Sequence, residues 1–187
     1  MNYCGLDTCD VLNGIGFRVS LFCSGCNKIP KCMYCQNSKA WDFNYGKPFT
    51  DETKNIILNA LSKPYISGLS LLGGEVTDNL SDGVIFDLLD SVKSLYPNKT
   101  IWSWTGYKIE NLTSNLHKKF LSYIDVLIDG EFRYDEKNLN RAWANSNNQR
   151  IIDVKKSLEE EKVVWVSKYM DEKDYSLDYK KPEYMFI

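Results

Sequence analysis

Leu69-Ser70-Leu71-Leu72-Gly73-Gly74-Glu75 is a short apolar run stopped by two glycines and a carboxylate. It is too short for a helix and ends on glycine, so it reads as a buried strand. Residues 51–62 precede it, with apolar Ile56, Ile57, Ala60 and Leu61 on one helical face and Thr50 at the N-cap. Residues 81–96 follow it. Val84, Ile85, Leu88, Leu89, Val92 and Leu95 fall there at helical spacing, and Pro97 stands just past the end.

The same alternation continues in both directions. Residues 18–23 read as a strand ending at Ser24-Gly25, and residues 100–104 as a strand ending at Thr105-Gly106. Residues 110–122 read as a helix, and residues 124–128 as a strand ending at Asp129-Gly130. This β-α-β-α-β-α-β rhythm predicts an α/β fold with a parallel sheet and right-handed crossovers. Ligands of such sheets bind beyond the carboxyl ends of the strands, where loops and helix N-termini converge. The unusual residues stand at those ends: Cys26 after the first strand, Gly73-Gly74-Glu75 after the second, Thr105-Gly106-Tyr107 after the third and Asp129-Gly130 after the fourth. Four separate segments thus point to one shared site. Residues 130–150 read as a long polar loop, 163–166 as one more strand, and 171–187 as a charged, Tyr-rich tail.

The chain has 187 residues, 43% of them apolar and 26% charged, which suits one domain with a sizeable core. Its net charge of −2 supplies no global field that would draw it to nucleic acid or anionic lipid. It has no apolar run of 18 residues and no signal-peptide pattern at its start, so the expected location is the cytoplasm. Cysteines there are metal ligands or free thiols more often than disulfides.

Residues 23–35 read Cys-Ser-Gly-Cys-Asn-Lys-Ile-Pro-Lys-Cys-Met-Tyr-Cys, four of the chain's six cysteines within thirteen residues. Three readings compete. A structural zinc site would use all four thiolates, although only five residues separate the two pairs and Cys23 sits inside a strand pattern. A redox dithiol would use Cys32 and Cys35 and leave Cys26 without a role. An iron–sulfur cluster on Cys26, Cys32 and Cys35 would leave one iron free to bind substrate, as an open catalytic zinc site does. On the third reading Cys4, Cys9 and Cys23 are structural or free thiols. His117 is the only histidine and lies in a helix pattern away from these loops, which disfavours a histidine-based metal site or triad.

Cys26…Cys32-Met33-Tyr34-Cys35 resembles the radical S-adenosylmethionine signature C-x3-C-x-Φ-C, with Tyr34 in the aromatic slot. One branch, the anaerobic ribonucleotide reductase activating proteins, is similar over about residues 1–155. The similar blocks are Val11-Leu12-Asn13-Gly14-Ile15-Gly16, Leu21-Phe22-Cys23-Ser24-Gly25-Cys26, Cys35-Gln36-Asn37, Leu71-Leu72-Gly73-Gly74-Glu75, Ile101-Trp102-Ser103-Trp104-Thr105-Gly106-Tyr107, Leu127-Ile128-Asp129-Gly130 and Ser146-Asn147-Asn148-Gln149-Arg150. There are two departures. The first cysteine gap holds five residues, 27–31, where the family has three, and Ala144-Asn145 stand where it has arginine and glycine.

The resemblance implies an incomplete β/α barrel with a mostly parallel sheet, in a catalytic domain spanning 1–155 and a C-terminal extension over 156–187. It implies a [4Fe–4S] cluster on Cys26, Cys32 and Cys35, and S-adenosyl-L-methionine as cosubstrate. One electron would cleave its sulfur–carbon bond to give methionine and a 5′-deoxyadenosyl radical. Cluster potentials span roughly −700 to +450 mV, and reducing a sulfonium needs the low end. Gly73 and Gly74 would let backbone approach the methionine portion, and Glu75 would accept a hydrogen bond from its ammonium. Tyr34, Cys35 and Gln36 would lie near the adenine, with Thr105, Gly106, Tyr107 and Asp129 lining the inner site. The implied partner is the large catalytic subunit of anaerobic ribonucleoside-triphosphate reductase, on which a glycyl radical is installed. A low-potential donor such as flavodoxin would supply the electron. Trp41, Trp102 and Trp143 are candidates for the docking surface, although core burial suits Trp102 better. Alternatives are an activase for another glycyl-radical enzyme and a non-catalytic zinc-binding module.

Overall fold

The computed structural model describes residues 1–166; the Tyr-rich stretch at 171–187 lies outside the described residues. Its strands are β1 (Asn2–Asp10), β2 (Phe17–Cys23), β3 (Lys47–Pro48), β4 (Ile66–Gly73), β5 (Thr100–Trp104), β6 (Val126–Asp129) and β7 (Arg150–Asp153). Its helices are α1 (Asp51–Leu61), α2 (Val84–Leu95), α3 (Asn115–Tyr123) and α4 (Val154–Glu159). The strands form one seven-stranded sheet in the order β3-β1-β2-β4-β5-β6-β7. The four expected strands, β2, β4, β5 and β6, pair in parallel at its centre. Antiparallel strands extend both edges, with β1 and β3 on one side and β7 on the other. The fold is α/β, with a mixed rather than wholly parallel sheet.

The edge strands lie where the sequence carries weak strand signals. β1 has few apolar residues and is nowhere buried before Asp10. β7 places only Ile151 and Ile152 in the interior. The strand expected at 163–166 reduces to a bridge between Trp165 and Ile152, flanked by Asp153 N–H to Val164 O and Val166 N–H to Ile151 O, both 2.9 Å. The helix expected over 110–122 is divided. A single 3-10 turn spans Ile109–Asn111, and α3 then starts afresh because Ser114 Oγ accepts the His117 N–H at 3.1 Å. Thr50 caps α1 as expected, by accepting the Thr53 N–H. Ile56 is exposed, and Thr53, Ile57 and Leu61 form the buried stripe instead.

The helices cover one face of the sheet. Val19, Leu21, Cys23, Leu69, Leu71, Ile101 and Leu127 alternate onto that face and meet Ile57, Leu61, Ile85, Leu89, Val92 and Phe120. A fully buried Leu or Ile contributes about 1.5–3 kcal/mol by removal from water. The opposite face carries Arg18, Ser20, Ser70, Trp102 and Trp104, and loops cover it. Gly14 packs against Arg18 and Trp102, and Ala144 and Trp143 pack on Trp102 and Ile128. Among the described residues no helix is long and apolar enough to cross a membrane.

Candidate functional site

The site is built where β2 and β4 end side by side. Cys23 pairs with Gly73 in the parallel ladder, and beyond it the two chains exchange backbone bonds. Gly74 N–H donates to Cys23 O and Glu75 N–H to Gly25 O, both at 2.7 Å. Gly25 N–H in turn reaches Ala40 O at 2.7 Å, and Cys26 N–H reaches Trp41 O at 3.2 Å. The glycines are required by this junction. Gly73 has φ +116°, and a Cβ there would stand 2.4 Å from Cys23 O; one on Gly74 would stand 2.4 Å from Gly25 O and 2.7 Å from Ala40 O. The cysteine segment's own backbone thus excludes a side chain at both positions, while both glycines also face the cleft.

Cys26, Cys32 and Cys35 line one cleft of about 150 Å³, together with Gly73, Gly74, Glu75 and Thr105. All three thiols are half-buried and free. Burial pushes the Cys26 and Cys32 thiols up, while the Lys31 amine near Cys26 and the Lys28 amine near Cys32 pull them down. Cys23 is fully buried under the helices, where burial raises its thiol to about 12. It is not on the cleft wall, and a thiol so reluctant to ionise is a poor fourth ligand. Cys9 is exposed at the far end of β1, and Cys4 donates to Phe22 O at 3.4 Å.

Glu75 is the one buried carboxylate of the cleft, 1% exposed. Its Oε1 accepts from Thr77 Oγ1 at 2.6 Å and Thr77 N–H at 3.2 Å, and its Oε2 accepts from Gly106 N–H at 2.8 Å. The carboxylate therefore latches the end of β4 to the end of β5. Among the described residues no Lys, Arg or His pairs with it. Burial raises its pKa, and the hydrogen bonds from Thr77, Gly106 and Thr105 oppose that rise. Thr105 Oγ1 also accepts the Tyr107 N–H at 3.1 Å, which shapes the turn after β5.

Four of the expected site residues, Tyr34, Gln36, Tyr107 and Asp129, lie off the cleft wall, and the Tyr107 hydroxyl donates to Asp78 Oδ1 at 3.4 Å. Tyr34 is 68% exposed with φ 55°, and its ring lies 4.5 Å from that of Tyr134. Gln36 is exposed. Asp129 is fully buried, where Arg150 Nε and Nη2 donate to its carboxylate at 2.8 and 2.5 Å and Ile109 N–H at 2.8 Å. It ties β6 to β7 and to the turn after β5. Trp102 is buried under Arg18 and Trp143, so it is core rather than docking surface. Trp41 does line the cleft, under the Lys31 amine. His117 is not on the cleft wall.

The residues that the motifs did not single out are Lys28, in the lengthened cysteine gap, and Phe132, in the loop after β6. Gly106, expected at the inner site, lies on the wall, and Trp104 and Gln149 complete it from the blocks that carry the resemblance. Gln149 works as a pin. Its Oε1 accepts from Asn145 N–H at 2.8 Å and Ser146 N–H at 3.3 Å, and its Nε2 donates to Gly130 O at 3.0 Å. Only the long-range pairing of β7 with β6 brings that loop to the cleft, and no local pattern encodes it.

Among the described residues no three His, Cys, Asp or Glu side chains gather tightly enough to share a single ion. A cluster asks for something different, because its thiolates attach to separate irons. Three half-buried thiols spread along one wall, beside main chain bared by two glycines, fit that donor geometry. A family model described as a 4Fe-4S single cluster domain matches residues 12–152. Over 153 residues the chain is 41% identical to the anaerobic ribonucleoside-triphosphate reductase-activating protein of Enterobacteria phage T4, covering 81% of this chain and 93% of that one. The proteins of the same name from Haemophilus influenzae and Escherichia coli (strain K12) are 39% and 36% identical over 153 residues, each covering 81% of this chain and 97% of the relative. The chain therefore belongs to the family of anaerobic ribonucleoside-triphosphate reductase-activating proteins, with the 4Fe-4S single cluster domain as its matched region.

Proposed function

We propose that this protein is a cytoplasmic radical S-adenosylmethionine enzyme, an oxidoreductase that installs a glycyl radical on anaerobic ribonucleoside-triphosphate reductase. The observation that carries the reading is Glu75: a fully buried carboxylate, on the wall of the cysteine cleft, that no basic side chain among the described residues neutralises. A buried charge without a partner is costly, and a cationic ligand removes that cost. S-adenosylmethionine brings an ammonium and a sulfonium.

Cys26, Cys32 and Cys35 would hold the cluster, whose fourth iron is left to the cosubstrate. When bound, the cluster supplies one low-potential electron that splits the sulfonium into methionine and a 5′-deoxyadenosyl radical, which takes a hydrogen atom from the partner's glycine. Glu75, already fixed by Thr77 and Gly106, orients the amino group. The backbone at Gly73-Gly74 and Thr105 bounds the methionine side of the cleft. Tyr34 and Gln36 would serve the adenine from the rim, and Asp129 would act through Arg150 on the shape of the inner wall. The catalytic unit would span 1–155, an incomplete β/α barrel with 156–187 as an extension. The electron would come from a low-potential donor such as flavodoxin.

The test is anaerobic reconstitution. The protein should carry about four irons per chain, bleach on reduction and release 5′-deoxyadenosine from S-adenosylmethionine. Addition of the reductase should then yield a glycyl-radical signal by electron paramagnetic resonance. Stoichiometric zinc with no nucleoside product would overturn the proposal in favour of a binding module.

A further inference from the structure

Resting on the cluster reading above, we infer that Lys28 and Glu131 form a clamp that positions the lengthened cysteine gap and sets the electrostatic potential at the cluster. The gap from Asn27 to Lys31 is the part of the cysteine motif that departs from three-residue spacing. A longer loop has more conformations to lose before its thiols can converge on a cluster, so something must hold it.

Lys28 is the tie that crosses the cleft. Its side chain is only 13% exposed, and its Nζ lies 2.8 Å from Glu131 Oε2. The same amine stands 5.9 Å from the centre of the Tyr107 ring. Its Cδ lies 3.1 Å from where a Gly106 side chain would begin, so the lysine stem packs closely over that glycine. One residue thereby fastens the cysteine loop to the turns after both β5 and β6. The far end is itself braced: Asn148 Nδ2 donates to Glu131 O at 2.8 Å, and Arg133 Nε reaches Glu131 Oε1 at 3.4 Å. At the near end the Asn27 N–H donates to Asp78 at 2.6 Å, and Lys31 reaches back to Cys26 O.

The clamp makes two demands that a packing contact does not. A cation beside a cluster favours its reduced, more negative state, and an anion opposes it. Lys28→Met should therefore move the cluster's potential to more negative values, and Glu131→Gln to more positive ones. Positioning should respond to pairing rather than to identity. Each single variant should take up less iron than the parent on reconstitution, and the exchanged pair Lys28→Glu with Glu131→Lys should regain iron.

Iron content and potential, by titration under electron paramagnetic resonance, are to be measured on the full chain for the parent, the two singles, the exchanged pair and Lys28→Arg, with circular dichroism checking the fold. Opposite-sign potential shifts, with iron restored by the exchanged pair and by Lys28→Arg, are the expected result. Parent-like iron and potential in both singles, or shifts of the same sign, overturn the clamp. The Glu131 side chain is 34% exposed, so its variant decides the matter even if Lys28→Met misfolds. If the parent itself takes up no iron, the cluster reading has failed rather than the clamp.

Discussion

Two buried charges occupy opposite ends of the sheet's parallel centre, and they stand in different surroundings. Arg18, at the amino end, is 1% exposed and entirely closed by the protein. Its Nε donates to Ser70 Oγ, Nη1 to Thr100 Oγ1 and Ile15 O, and Nη2 to Leu69 O and Thr100 O, at 2.7–3.5 Å. Those bonds use all five guanidinium donors, and the group also lies 5.2 Å from the centre of the Trp102 ring. Glu75, at the carboxyl end, is as deeply buried and, among the described residues, is likewise answered only by neutral groups, but it stands on the wall of the cysteine cleft. A polar node that the fold completes is a structural device. One set on a cleft wall beside three thiols is open to a ligand.

Six substitutions test that contrast, beginning with the largest effect. Cys32→Ala should abolish iron uptake, whereas Cys4→Ala and Cys9→Ala should leave it intact; iron analysis of reconstituted protein decides. Equal loss from all three would dissolve the difference between the cleft and the rest of the chain. Arg18→Met should cost about 3–5 kcal/mol in urea unfolding, because it strands the buried carbonyls of Leu69 and Thr100. The fraction that remains folded should still load iron.

Glu75→Gln should reverse that profile. Losing a charge-assisted contact worth about 1.5–3 kcal/mol should weaken S-adenosylmethionine binding about 10- to 100-fold by calorimetry. The stability effect should carry a sign in pH. Burial raises the folded pKa of Glu75, so the unliganded parent loses stability as pH rises from the ordinary carboxylate value through that raised one. The variant's stability relative to the parent should therefore improve over that window.

Glu110 gives the smallest effect. It sits at the same end as Glu75 but is closed by the protein, since its carboxylate accepts Arg150 Nη1 and Nη2 at 2.9 and 2.7 Å, which lowers its pKa to about 2. Its side chain is 51% exposed, so solvent screening limits Glu110→Gln to at most about 1 kcal/mol. A depressed carboxylate stabilises above its unfolded pKa, so that difference should fade as pH falls from about 4.5 through about 2.

The sheet's centre was legible in the sequence because each of its strands carries an apolar run closed by glycine or by a Thr-Gly or Asp-Gly pair. The cysteine set and Gly73-Gly74-Glu75 were legible as local motifs. β1 and β7 were not, since their side chains are mostly polar or half-exposed. Lys28 escaped notice because its importance depends on Glu131, more than a hundred residues away. Asp129 was noticed for standing at a strand end, but no spacing rule foretells that Arg150 would occupy its carboxylate.

The two sheet faces also differ in how they would open. Helices cover one through a continuous apolar core, whereas the cleft side depends on a loop fastened by Gln149 through three hydrogen bonds. Opening such a loop breaks polar contacts and uncovers only the small cluster of Trp102, Ile128, Ala144 and Ile151, separate from the main core, so it is governed by local rather than global unfolding. Amide exchange at Asn145 and Ser146 would then run far ahead of that in β4 and β5. The passage of water and dioxygen to the three thiols would be timed by the same event, and a more stable core would do nothing to slow it.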